Sequence, residues 1–530
     1  ALVLAVREDD AWRYIGHVGT GFSHQALEEL HGKLVRLKTA KSPFPAKVKD
    51  EQVTTWVRPT LVAEVKLEKG ELQNQEIYFA KPEQLNDPME GFRDIFWKGD
   101  AIVWRSFFRH YILCLDNAFG QLLLCSEQQP LGWEHIPIFN HGNINDGVPH
   151  KALEEEVVGA FFAEPCVAAF IDALAARVHP VRRDELTAHL RSVHMLALHL
   201  IRESYSRKGL QPEIPDSAAL VTKFRQAISL TTQSIVKFQE VEKQHPVTEH
   251  QIDAFYIARR NLVSQLDFIH YYNRTIDFEQ SNRNFVFLTF PDEFAQRAET
   301  LIYPEWYTAC FMRDCRNSSV WGNYAIHHTA VCLKFRVSEF GGKPVLPLRQ
   351  PYAINAEGIL YDFRPLELRE ITYESQHLPV DFFRSLGRFP IPVLRRHWYS
   401  DAAGNRSPCG DDIFRADEEW LARYWDSFYH AIIRKLKDWQ YEEEYRLVID
   451  NQHWDFREVP ARKLAYRFDD LEAIIFGMKT PMKEKLEICK IIEEKCRKEG
   501  RKDFRFYQAY YARSTGTIEH AELTSLKFTE

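Results

Sequence analysis

A chain of 530 residues, 45% of them hydrophobic, is long enough for two to four domains that bury their own cores without metals or disulfides to staple them. Its 68 basic and 75 acidic side chains leave a formal net charge of -7, which excludes an overall positive field of the kind that drives nonspecific attachment to phosphate. Residues 1–68 carry 10 of the basic and 9 of the acidic groups, so neither part of the chain is strongly basic.

In chain order, residues 1–22 alternate as strands, with Trp12 to Ile15 set between an acidic turn at Glu8, Asp9 and Asp10 and glycines at 16, 19 and 21. A helix is expected from His24 to Leu37, because Leu27, Leu30, Leu34 and Leu37 recur at threes and fours and Ser23 can cap its first turn. Leu61 to Leu67 reads as a strand of period two. Together these make the inventory of a small β-barrel with one helix.

The pattern changes near Glu68. Glu76 to Ala80 reads as a strand, and Lys81 to Glu90 as a turn-forming run. Residues 95–285 are expected to be mainly helical, with apolar stripes assigned to the core: Phe161, Phe162, Val167, Phe170, Ile171 and Leu174; Leu196, Leu200 and Ile201; and Phe255, Leu262, Leu266 and Ile269. Strands are expected at 284–290, 330–335, 445–449 and 473–477, and a closing helix at 481–498. The fold class is therefore α+β: a small, partial β-barrel over 1–67, then a larger mixed domain over 68–530 with a helical insertion at about 95–285.

The nine cysteines are scattered, and neither close spacing, Cys310 to Cys315 or Cys489 to Cys496, has the two-residue gap of a zinc ribbon. Reduced thiols in a cytoplasmic protein, with no metal, are expected. No apolar run approaches the roughly 18 to 20 residues needed to span a bilayer, so no membrane partner is expected.

Several polar groups stand beside strand ends. Asn86, Asp87 and Glu90 can hold a cation or a ribose hydroxyl, or form an Asx-turn ahead of the next element. His327 and His328 precede a strand and are of the type that can act as acid and base near neutral pH, and in an extended chain at most one of them would enter a given site. Glu442 and Glu444 are expected on one strand face, with Arg446 as a same-face neighbour of Glu444. That pattern suits either a surface ion pair or a catalytic carboxylate. Trp321 and Tyr324 complete the candidate binding set.

Two family resemblances bear on these residues. Trp12 to Ser23, the Leu27/Leu30 helix, Ser42-Pro43-Phe44 and Trp56 to Val65 resemble, in order and spacing, the C-terminal oligonucleotide-binding barrel of bacterial multifunctional DNA ligase D. The resemblance covers 1–67 and implies an OB-fold, DNA as partner, and a role in DNA repair and recombination; Arg13, Lys33, Arg36 and Arg58 are the DNA-backbone candidates. ATP and Mg enter only through that family's nucleotidyltransferase domain, whose lysine sits in a Lys-x-Asp-Gly setting. This sequence contains no Lys-x-Asp-Gly, nor the family's closing Arg-x-Asp-Lys after the barrel, so ligation by it alone is not expected and its own cofactor is left unassigned.

Ile77 to Glu90, Cys310-Phe311 with Trp321 to Phe335, Trp439 to Leu447, and Leu471 to Gly477 resemble an uncharacterised bacterial family with abortive-infection and phage-resistance members. Ala330 replaces the family's usual glycine, and its opening Leu-Tyr-x-Tyr strand is displaced by ligase-like sequence. By analogy with ADP-ribosyltransferases, which carry a glutamate on a late strand, the resemblance suggests a nucleotide-dependent effector with Glu444, Glu442, Arg446 and His327 as catalytic candidates. Three readings follow: a ligase-type DNA-binding piece joined to a defence-type domain, a phage-defence effector, or a fusion or gene-model product without joint function.

Overall fold

The computed structural model describes residues 70–526 except 88, 127–128, 140–147, 246, 278–279, 375–376 and 416; of the first 69 residues it describes 2–8, 11–18, 31, 34, 38–39 and 56–57. The chain divides into two units, Ala1–Glu71 and Leu72–Glu530.

In the first unit β1 (Leu2–Glu8) and β2 (Ala11–Val18) pair antiparallel from Glu8↔Ala11 to Leu2↔Val18, with a bulge between Leu4 and Ala5. Only two residues separate the strands, as the acidic turn predicts. β3 (Lys38–Thr39) pairs antiparallel with β4 (Trp56–Val57), and His31 and Leu34 are helical. The rest of the expected 24–37 helix and the 61–67 strand lie outside the described residues, as do Lys33, Arg36 and Arg58.

The second unit is a helical body and a set of sheets. After β5 (Glu76–Tyr78) and β6 (Asp94–Trp97) come α1 (Ala101–Leu124), α2 (Val148–Phe162), α3 (Pro165–Ala175), β7 (Val181–Arg182), α4 (Arg183–Arg207), α5 (Ser217–Gln244), α6 (Glu249–Tyr272) and α7 (Phe290–Arg297). α1 starts where the Asp100 carboxylate accepts the Ile102 and Val103 amides, and it buries Trp104, Phe107, Phe108, Tyr111 and Leu115 against α3, α4 and α7. The stripes of α3 and α4 are buried as expected. That of α6 is not: Phe255 and Leu262 are each 56% exposed, and Leu266 and Ile269 also face solvent.

The sheets follow: β8 (Trp306–Met312), then α8 (Ser318–Tyr324), β9 (Val331–Phe335), β10 (Ser338–Phe340), β11 (Lys343–Asn355), β12 (Gly358–Glu367), β13 (Arg369–Glu370), β14 (Thr372–Glu374), β15 (Pro379–Asp381), α9 (Asp417–Ile432), β16 (Arg434–Leu436), β17 (Glu444–Asp450), β18 (Lys463–Tyr466), β19 (Leu471–Phe476), α10 (Met482–Glu499), β20 (Arg505–Ala512) and β21 (Thr517–Glu522). One sheet runs β13-β17-β8, a second β10-β11-β18-β5 with β12 on β11, and a third β21-β20-β19-β9. The long β11–β12 hairpin and the β20–β21 hairpin after α10 are additions to the expected elements, so α10 does not close the chain.

One expected strand is helical. Residues 284–290 form the end of a short helix and a π-helical turn leading into α7. Asn282, Val286, Phe290 and Phe294 are all buried at four-residue spacing, and Pro291 suits the first turn of α7, so packing against α1 and α4 overrides the β-propensity of the aromatic run.

β17 holds the key position. Leu447 and Ile449 belong to the sheet core with Tyr307, Leu346, Leu348 and Phe476, whereas Val448 joins the helical core with Trp306 and Phe294. A strand with a core on each face has no solvent side. Whatever shares a face with Val448 must therefore be buried, and Glu444 and Arg446 do.

Candidate functional site

Five ionisable side chains meet at the start of β17, each at most 4% exposed: Glu90, Lys435, Glu442, Glu444 and Arg446. Lys435 Nζ lies 2.7 Å from Glu442 Oε2 and 2.8 Å from Glu444 Oε2. The Arg446 guanidinium donates to Glu444 Oε1 at 2.6 Å, to Glu90 Oε1 at 2.5 Å and to the Ile432 carbonyl at 2.5 Å. Tyr324, at the end of α8, donates its hydroxyl to Glu442 Oε1 at 2.9 Å. Two cations thus face three carboxylates in a place where charge is costly unless paired.

Local geometry explains the convergence. The strand expected through Glu442 begins only at Glu444: Lys437–Glu442 is a 3-10 helix, and Glu443 takes a left-handed φ of 45° that re-aims the chain. Glu442 and Glu444 consequently reach the same lysine by different routes, while Glu443 is exposed. Arg446 pairs across β8 with Cys310. Glu90 enters from a turn continued by Gly91 at φ 66°, where a Cβ would lie 2.5 Å from the Trp306 ring, so only glycine fits. The Trp439 ring stands over Lys435, 4.9 Å from Nζ to its centroid.

The electrostatics separate Glu444 from Glu90. Burial raises the pKa of the Glu444 carboxyl, but the Arg446 guanidinium and the Lys435 ammonium outweigh it and hold the group down to about 2. For Glu90 burial wins over Arg446 and the pKa is raised; its Oε2, 4.0 Å from Lys435 Nζ, has no hydrogen bond among the described residues. Burial works against charge on Lys435 and Arg446, yet the carboxylates keep both pKa values above their usual range. Burial and Glu442 push the Tyr324 phenol up, and burial with the Glu444 charge does the same to the Cys310 thiol, so both stay protonated at neutral pH.

Of the sequence candidates, Glu90, Tyr324, Glu442, Glu444 and Arg446 are brought together and the others are not. Asp87 accepts the Met89 amide at 2.9 Å, which is the Asx-turn alternative, and Asn86 is exposed. Trp321 is buried, donating its indole to the Cys315 carbonyl at 2.6 Å. His327 is exposed: the extended chain expected there is a left-handed turn, with Ile326, His327 and His328 at φ 47°, 56° and 72°. That turn is braced by Gly477, whose absent side chain leaves room for the His328 and Ala330 carbonyls. Lys435 is absent from the candidate set, since a lysine beside Arg434 ahead of a turn reads as solvated; the signal for it was the need of Glu442 and Glu444 for a counter-ion.

Beside Lys435, a small polar hollow is lined by Asp87, Glu374, His377 and Arg434. Among the described residues no three or more His, Cys, Asp or Glu side chains are placed to hold a metal ion, and all nine cysteines are free thiols. No single helix among those residues is long and apolar enough to cross a membrane.

Comparison with known proteins speaks to the first unit. The family of the ATP-dependent DNA ligase C-terminal region matches residues 1–88. The multifunctional non-homologous end joining protein LigD of Mycolicibacterium smegmatis is 41% identical over 68 residues, which is 12% of this chain and 9% of that protein. No solved structure matches. The N-terminal resemblance is thus supported, the family match reaching beyond residue 67 into the Asp87 turn.

Proposed function

We propose that this chain is a DNA-associated protein that holds the duplex backbone through a ligase-type, OB-like module at its N-terminus. The observation that carries the reading is the ligase C-terminal family match over residues 1–88. Arg13 lies on β2, and with Lys33, Arg36 and Arg58 it supplies cations for phosphate, a contact that orients without reading sequence. The activity proposed for these residues is binding; none of them forms a Lys-x-Asp-Gly that would receive a nucleotide. The test is a mobility shift on nicked duplex at rising salt: a complex that weakens steeply between about 50 and 200 mM salt supports it, and no complex at low salt refutes it.

A second reading, a nucleotide-dependent effector in the larger unit, is favoured by the meeting of Glu90, Tyr324, Glu442, Glu444 and Arg446 from separate segments. Its physical difficulty is that both Glu444 oxygens are engaged. Lys435 stands between Glu442 and Glu444 where a cationic ligand group would stand, so under this reading ligand entry displaces the ammonium. Glu444→Gln should then abolish phage protection or toxicity while the protein stays folded; unchanged protection would remove the reading.

A further inference from the structure

We propose that α6 is a self-association helix, its outer face pairing with the same face of a second copy of this chain. α6 is apolar on two sides. One side is seated on α4: Ile252 is buried, Arg260 donates to Asp184 at 3.0 Å, and Tyr256 packs edge-on against His189. The helix is also capped, Thr248 and Gln251 exchanging hydrogen bonds at its first turn. It is therefore a fixed element.

The other side carries Phe255, Leu262, Leu266 and Ile269, with Tyr272 at its end, at exposures of 47 to 80%. Phe255, Leu262 and Ile269 recur at intervals of seven and Leu266 falls four beyond Leu262, which is the seam spacing that lets one helix mesh with another. Arg259, seven residues before Leu266, is the single charged side chain on this stripe, so two copies meet without a row of like charges.

The area suits a modest homodimer. Taking about 180 Å² for a large apolar side chain, the five exposed residues offer roughly 500 Å² per chain. Two copies bury about 1,000 Å², near the lower bound for a specific interface. A contiguous apolar stripe of this size on an already docked helix marks an interaction surface rather than scattered surface apolarity.

The test is sedimentation of the full chain over a range of concentrations, with the double variant Leu262→Glu/Leu266→Glu and, as control, Leu230→Glu at an exposed site on α5. The wild type and the control should sediment as a dimer of the 62.2 kDa chain, and the double variant should raise the dimer Kd at least tenfold. Below the concentration at which the wild type associates, the double variant's helical circular dichroism and melting curve should match wild type, because both leucines are exposed. A wild type that stays monomeric at every concentration, with the stripe left to the first 71 residues or to another protein, overturns the proposal. So does a double variant that dimerises as well as wild type.

Discussion

Two stretches of the second unit reverse what their residues suggest. Glu442 to Arg446 holds four charged side chains in five positions and would suit a solvated surface, yet three of the four are buried. Phe255 to Ile269 has the spacing of a core stripe and faces solvent. Period and polarity say which residues share a face; the elements packed on that face decide whether water reaches it. β17 lies between two cores, so its charges had to find one another, whereas among the described residues α6 has a packed neighbour on one side only.

Breaking the buried network should have the largest effect. Arg446→Met leaves Glu90 without its hydrogen-bonded cation and Glu444 with Lys435 alone, and should lower the unfolding free energy by about 3–5 kcal/mol, read from urea denaturation. A loss below about 1 kcal/mol from Arg446→Met would mean that the cluster is hydrated.

Leu196→Ala, on the buried α4 stripe, should cost roughly 2–5 kcal/mol, through lost transfer energy and the cavity left behind.

The glutamates separate by pH. Glu444 has a depressed folded-state pKa, so its stabilisation is full above the ordinary value of 4.5 and is lost as pH falls toward 2; Glu444→Gln should flatten that acid limb. Glu90 has a raised folded-state pKa, so its contribution is present below 4.5 and lost as pH rises through the folded value. Glu90→Gln should therefore destabilise less than Glu444→Gln at pH 7, and the reverse order would contradict the assigned charges.

The smallest effect belongs to α6. Leu262→Ala should change unfolding stability by no more than about 0.5 kcal/mol, measured below the concentration at which the chain associates. A loss matching that of Leu196→Ala would mean that the stripe is covered within one chain.

Much of this was legible in the residues. Ile77, Val331 to Phe335 and Leu471 to Phe476 announced their strands through β-branched and aromatic runs, and the Glu444–Arg446 neighbour relation followed from the period of a strand. The 284–290 segment did not, because an apolar run satisfies both periods until its four-residue burial stripe is seen. Lys435 was hard to join to Glu444 because their meeting rests on the 3-10 turn between them, and strand spacing carries no record of it. The first unit is the opposite case: its ligase likeness is plain in the order of its motifs, whereas the side chains proposed to touch DNA lie outside the described residues.

The most direct test of the proposed function is the salt dependence of nicked-duplex binding by the full chain and by a variant with Arg13, Lys33, Arg36 and Arg58 all changed to alanine. For wild type, log affinity should fall linearly with log salt, and the variant's slope should be shallower by about 0.9 for each phosphate contact removed. Equal slopes, or wild-type binding that ignores salt, would contradict it.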